Sequence, residues 1–188
     1  MSQKSITLVK DQRNQVPLKL APDAQALYLS ILDTPGGWRI GAPSRAFIPE
    51  LKRRWRALTS IELSERSTAN ELELVRAMAP RYDAIVAAVF VRASSGSGRM
   101  DLPANMQTVL RTIARQTEQS GKPFVTVLFG NPYTATFLPE VPAILLTYDF
   151  YDRAERSAVR ALAGEAPITG KLPISLPGLA DRGAGLVR

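Results

Sequence analysis

Histidine and cysteine are both absent from this chain, so its chemistry falls to carboxylates, hydroxyls, amides and cations. Their absence excludes a Ser-His-Asp triad, a Cys-His pair, a disulfide framework and the common imidazole zinc sites within the chain. The carboxylates near predicted strand ends are Asp33, Asp83, Asp101, Asp149 and Asp152. A pair of carboxyl groups held close together is the usual machinery for acid–base work. No two of these carry a motif that supports such a pair. Asp152 is placed to cap a helix, and Asp101 to serve the helix that opens at Pro103. Asp83 precedes its strand and so sits at the end opposite the expected crevice. Gly96-Ser97-Gly98-Arg99 has the composition of a phosphate loop, but Asp101 occupies the place of the third glycine in the dinucleotide fingerprint. No G-x-x-x-x-G-K-[ST] occurs anywhere, so the stretch reads as a surface loop or interdomain contact. Neither a cofactor nor a metal site is expected. Gly130-Asn131-Pro132-Tyr133 joins turn residues to an aromatic ring. It is either a rigid turn with Tyr133 over the sheet edge or a contact to a neighbouring domain.

The elements that must position these loops are easier to read. Ala84 to Val91, AIVAAVFV, carries no charge and no polar alternation. A β-branched run of that kind predicts a strand buried on both faces, in the middle of a parallel sheet covered by helices. Further strands are predicted at Ala26–Leu32, Ser60–Leu63, Phe124–Phe129 and Ala143–Thr147, with a strand-like piece at Ser5–Val9. Helices are predicted between them. One spans Ala46–Leu58, with Phe47, Ile48, Leu51 and Trp55 on one stripe and Ser44 as its cap. Ser67-Thr68 caps a second, running to about Ala79, with Leu72, Val75 and Met78 three apart and Leu74 beside them. A third opens at Leu102-Pro103, buries Met106, Val109, Leu110 and Ile113, and ends at Gly121. Asp152 begins a fourth, with Ala154, Ala158, Val159 and Leu162 inward. The tail, ITGKLPISLPGL, suits an extended edge or covering strand.

Strands alternating with helices of about three turns imply parallel βαβ units with right-handed crossovers. The expected fold class is α/β: a three-layer sandwich on a mainly parallel sheet of five or six strands, in the flavodoxin-like order 2-1-3-4-5. Residues 1–20 read as a connecting segment and 21–188 as one domain. Parallel strands send their following loops to one edge, so Asp33–Gly37, Ser94–Arg99 and Gly130–Tyr133 should gather there. Asp33, Arg92, Ser94, Ser95, Arg99, Asn131 and Tyr133 are the candidate docking or ligand-contact residues on that edge.

The chain of 188 residues is 45% hydrophobic and 22% charged, a globular composition with enough length for one proper core. The net charge of +7 arises from 24 basic and 17 acidic residues, and reads as an Arg-rich solvated surface or as provision for an anionic partner. Lys52, Arg53, Arg54 and Arg56 cluster on one predicted helix without an aromatic stacking platform, so nucleic acid is not expected as a partner. No apolar run approaches the roughly 20 residues of a membrane span. MSQKSITLVKD has no signal-peptide core, so the chain is cytoplasmic or its targeting segment lies elsewhere.

YDAIVAAVFVR, GKPFVTVLFGNPY, LPEVPAILLTYDF and RALAGEAPITGKLPISLPGL, in this order, resemble glycoside hydrolase family 3. More narrowly, the chain resembles the carboxy-terminal domain of the β-N-acetylhexosaminidase branch, from SITLVKD at Ser5 to Leu179. Gly130-Asn131-Pro132-Tyr133 and Gly170-Lys171-Leu172-Pro173 are the most specific pieces. The resemblance implies a (β/α)8 barrel partner, in cis or as a separate chain, that supplies the nucleophilic aspartate and a His-Asp acid–base pair. No residue of this chain inherits either role. Some glucosidase relatives draw their acid–base glutamate from the second domain, and Asp101 is the only carboxylate in the loop after the central strand. Retaining hydrolysis needs two carboxyl groups about 5–5.5 Å apart. The expectation is an accessory domain of a hexosaminidase-like hydrolase, docked on a barrel and not catalytic alone. The alternative is a freestanding glycan- or anion-binding module of the same fold.

Overall fold

The computed structural model describes residues 2–32, 42–91 and 102–188. Among the described residues six strands form one sheet: β1 (Thr7–Asp11), β2 (Ala26–Leu32), β3 (Leu58–Ser64), β4 (Ala84–Val91), β5 (Phe124–Gly130) and β6 (Ala143–Leu146). The helices are α1 (Ser2–Ser5), α2 (Phe47–Arg54), α3 (Ala69–Met78), α4 (Ala104–Ser120) and α5 (Asp152–Leu162). The spatial order is β1-β6-β5-β4-β2-β3. All neighbours are parallel except β1, which runs antiparallel to β6 at the edge. With β1 set aside, the order is β3-β2-β4-β5-β6, which among the five core strands counts as 2-1-3-4-5.

The uncharged composition of β4 follows from its place. Every residue from Ala84 to Val91 is buried. Alternate side chains enter separate cores, because successive Cβ atoms point to opposite faces. Ile85, Ala87, Val89 and Val91 pack toward α3 and α4, with Leu72, Val75, Met106, Val109, Leu110 and Ile113. Val86, Ala88 and Phe90 pack toward α2 and α5, with Phe47, Leu51, Ala154, Ala158, Val159 and Leu162. In the second core Phe90 stacks on Phe129 at 4.5 Å, and Phe47 meets Phe129 edge-on at 5.7 Å. Offset and edge-on aromatic pairs add about 0.5–1.5 kcal/mol each beyond burial.

Helix ends explain most of the departures from the sequence reading. Thr68 caps α3 in a full capping box: its side chain accepts from the Glu71 N–H, while Glu71 accepts from the Thr68 N–H. Gly121, at φ 70°, ends α4 in the left-handed conformation that glycine reaches without strain. Ser44 is not the cap of α2. Ala46 holds that position without a side-chain bond, and the Ser44 hydroxyl faces inward to Tyr28 and Ser30. Asp152 is not the cap of α5 either. It is the first helical residue, tied to Arg45, and Tyr151 precedes it. Leu74 points to solvent at 63% exposure, outside the buried pair Leu72 and Val75. The amino-terminal strand is shifted to Thr7–Asp11 and is preceded by the single turn α1.

The tail forms no regular strand. Gly170 N–H bonds to the Ile6 carbonyl, Leu186 N–H to the Leu8 carbonyl, and Ile168 and Arg188 exchange both backbone bonds. It therefore covers the β1 edge by scattered pairs. Gly170 is required at this crossing, since a Cβ there would lie 2.3 Å from the Ile6 carbonyl oxygen.

Candidate docking edge

β2 to β6 are parallel and end nearly level, with Leu32 opposite Ser64 and Phe90, Phe90 opposite Phe129, and Leu128 opposite Leu146. The described loops, those that follow β3, β5 and β6, leave from one edge of the sheet, as the chain direction dictates. Asp33, Arg92, Ser94, Ser95 and Arg99 lie outside the described residues, as do Asp101 and the glycine-rich stretch. Asn131 and Tyr133 are placed on this edge, at the end of β5. Asp83 is at the opposite edge, where its carboxylate accepts from Gln25 N–H at 2.8 Å.

The β5 loop is built tightly. Gly130 has φ 88°, and a Cβ there would stand 2.6 Å from the Val91 carbonyl oxygen. The next amide, Asn131 N–H, donates to that same carbonyl at 3.2 Å. Asn131 then caps the short 3-10 helix Pro132–Phe137, its side-chain oxygen accepting from Tyr133 N–H at 3.0 Å. Asn131 is thus a nearly buried structural cap, and Tyr133 is the outward residue. Tyr133 at 36% and Phe137 at 37% exposure present two aromatic rings on this loop.

The β6 loop continues the edge. Tyr148 adopts φ 61°, and its hydroxyl donates to Thr7 Oγ1 at 2.9 Å. Burial pushes its phenol above the ordinary value. Asp149 accepts from Phe150 N–H at 2.7 Å and Tyr151 N–H at 3.3 Å, fixing the turn into α5. A Cβ on Gly130 would stand 3.6 Å from the Phe150 ring, so the two loops adjoin. Phe150 and Tyr151 lie 5.1 Å apart, and Tyr151 is 46% exposed. The edge therefore presents Tyr133, Phe137 and Tyr151 on rigid turns.

One polar centre escaped the sequence reading. Glu155 on α5 is 1% exposed. Its carboxylate accepts the N–H groups of Ser44, Ala46 and Phe47, each at 2.8 Å. It supplies the amino-terminal acceptor that α2 lacks locally. Beside it, the Ser44 hydroxyl lies 2.6 Å from the Tyr28 hydroxyl and 2.7 Å from that of Ser30. Burial pushes the Glu155 carboxyl above the usual carboxylate range; the three amides pull it down, and burial is the larger effect. Burial likewise pushes the Tyr28 phenol well above its ordinary value. The network is closed by its own bonds, which makes it a clamp between α2 and α5. Its sequence signal is a carboxylate on the apolar stripe of α5, four residues before Val159 and seven before Leu162. Among the described residues no group of three or more acidic side chains is arranged to hold a metal ion. No described helix is long and apolar enough to cross a membrane.

A mainly parallel α/β sandwich with an antiparallel edge strand defines the class of the molecule. The model of the glycosyl hydrolase family 3 C-terminal domain matches residues 6–183, and the chain belongs to that family. The domain is an accessory domain of glycoside hydrolases. Among solved structures, a fungal multi-domain family 3 β-N-acetylglucosaminidase is 23% identical with a TM-score of 0.71, covering 97% of this chain and 19% of its own. A family 3 β-N-acetylglucosaminidase from Paenibacillus is 15% identical with a TM-score of 0.73, covering 93% of this chain and 31% of its own. A β-glucosidase from Listeria innocua is 20% identical with a TM-score of 0.70, covering 94% of this chain and 26% of its own. The chain thus spans about a fifth to a third of the first two structures' length, at identities that establish the fold. No curated protein sequence matches it.

Proposed function

We propose that this chain is the carboxy-terminal sandwich of a β-N-acetylhexosaminidase-like enzyme, held against a (β/α)8 catalytic barrel by the carboxyl edge of its sheet and silent in hydrolysis alone. The observation that carries the reading is the edge itself. Tyr133, Phe137 and Tyr151 stand exposed on loops fixed by Asn131 and Asp149. Aromatic side chains are enriched at protein interfaces, and rigid loops lose little freedom on docking. The hexosaminidase branch is favoured over the glucosidases by Gly130-Asn131-Pro132-Tyr133 and Gly170-Lys171-Leu172-Pro173. The leading glycine of each piece is required by close packing: Gly130 passes against β4, and Gly170 passes against the Ile6 carbonyl.

The test is hydrogen exchange of the chain with a separately expressed family 3 β-N-acetylglucosaminidase barrel. Protection is expected at 130–137 and 147–151; protection confined to the opposite edge, around Asp83 and Lys122, overturns the reading. In parallel, the purified chain alone should not hydrolyse a chromogenic N-acetylglucosaminide at high protein concentration. Turnover that co-purifies with the chain and disappears on Asp101→Asn would place a catalytic site in the sandwich.

A further inference from the structure

A groove of about 950 Å³ runs between α2 and α5, starting at the carboxyl edge. Six arginines line it against four acidic residues. Three of the arginines are held in its walls, Arg53 by Glu50 at 3.2 Å. Arg45 is tied to Asp152 at 2.6 Å. Arg54 is tied to Glu165 at 2.6 Å and to Glu50 at 2.8 Å. The acid at the head of the groove, Asp149, is occupied by the Phe150 and Tyr151 amides.

The remaining cations along α5 form a row. Arg153, Arg156 and Arg160 fall at i, i+3 and i+7, on one helical face and about 10 Å from first to last along the axis. Arg153 and Arg160 make no ion pair among the described residues, and Arg156 reaches only the Glu50 carboxylate at 4.0 Å. Guanidinium groups suit carboxylates because their fork of donors matches the two oxygens. At the amino-terminal end of the row stands the half-exposed Tyr151 ring, one residue before the helix.

We propose that this groove binds an acidic polysaccharide, with Arg153, Arg156 and Arg160 meeting its carboxylates and the Tyr151 ring packing against a sugar at the docking edge. A regular row of fork donors next to a flat ring fits a repeating chain of charged sugars, which offers carboxylates at intervals and apolar ring faces between them. The choice of a glycan over another polyanion rests on the reading of the chain as part of a glycoside hydrolase. The groove opens at the edge proposed to face the barrel.

The test titrates the 188-residue chain with oligogalacturonate by calorimetry, with neutral chito-oligosaccharide and single-stranded DNA as comparisons. Oligogalacturonate is expected to bind, to weaken with added salt, and to bind roughly tenfold or more weakly to an Arg153→Gln/Arg156→Gln/Arg160→Gln variant. Tyr151→Ala should weaken it as well. All substituted side chains are exposed, and unchanged thermal melting checks that the fold is kept. No binding of oligogalacturonate, unchanged affinity in the triple variant, or equally tight binding of DNA or the neutral glycan each overturns the assignment. The barrel is absent from this experiment, so its failure leaves the docking reading standing, and failure of docking leaves the groove standing.

Discussion

Replacing Glu155 by alanine should separate the amino end of α2 from α5. The three amides it caps belong to residues almost sealed from water: Ser44 at 2%, Ala46 at 6% and Phe47 at 0% exposure. Each N–H donates to the carboxylate at 2.8 Å. A hydrogen bond to a charged acceptor contributes about 1.5–3 kcal/mol, and a buried donor left without an acceptor costs about 1–3 kcal/mol. These costs are not additive, because α2 can relax once the acceptor is gone. Glu155→Ala should therefore cost about 3–5 kcal/mol, out of about 5–15 kcal/mol for an ordinary domain. For a chain of this size the melting temperature should drop on the order of 10 °C. Glu155→Gln keeps one oxygen acceptor but turns an amide NH₂ toward a donor, so it should fall between the parent and the alanine variant.

The pH dependence gives a second handle. Burial raises the folded carboxyl above its unfolded value, so folding favours the protonated form of Glu155. Its contribution is present in full below the ordinary glutamate range and is lost as pH rises through the raised value. The gap between parent and Glu155→Ala should accordingly narrow across that window. Glu50 and Glu165 run the other way: hydrogen bonds from Arg54 hold both below the usual range, so their contribution is lost on acidification. Urea denaturation of parent and variant at several pH values measures both effects. A Glu155→Ala stability within about half a kcal/mol of the parent would refute the clamp. A gap that widens with rising pH would show that the three amides outweigh burial.

Val89→Asp should cost about 4 kcal/mol or more, because Val89 is 1% exposed and would carry an unpaired charge into the core shared with α3 and α4; an unchanged melting curve would place it at the surface. Gly130→Ala combines a strained φ of 88° with a Cβ 2.6 Å from the Val91 carbonyl oxygen, and should cost about 2–3 kcal/mol and reduce protection of the Asn131 amide in hydrogen exchange. Gly170→Ala should push the tail away from β1, because its Cβ meets the Ile6 carbonyl at 2.3 Å and Thr7 Oγ1 at 2.6 Å; faster exchange at the Gly170 and Leu186 amides is the readout.

Local chemistry makes some elements readable in the sequence and hides others. β4 is legible because burial on both faces removes charge from every position, a pattern that eight consecutive residues show directly. The capping box of α3 and the glycine end of α4 are legible because donor and acceptor lie within a few residues. β1 lies two residues beyond its expected place. Lys10 and Asp11 look wrong for a strand, but this is an edge strand, where Lys10 reaches the Pro139 carbonyl and Asp11 accepts from Gln15 and Val16. The common exit edge of β5 and β6 follows from chain direction alone, while Asp33–Gly37 and Ser94–Arg99, expected beside it, lie outside the described residues; nothing around Tyr151 marks it as exposed.

The cap of α2 cannot be found locally at all. Ser44 has the right side chain at nearly the right distance, yet Tyr28 and Ser30 occupy its hydroxyl from β2. The acceptor that serves the helix comes from a residue 109 positions away from Ala46. Only one trace of that arrangement is present in the sequence. Glu155 shares a helical face with Val159 and Leu162, and an acid on an apolar stripe must find donors or lose its charge. The opening of α2 has amides to offer and no acceptor of its own, so the two irregularities answer each other. The same pairing fixes α2 beside α5, and with them the walls in which Arg45 and Arg54 are tied. Disruption of Glu155 should therefore loosen the groove while leaving the β5 loop, which Asn131 and Gly130 hold against β4, in place.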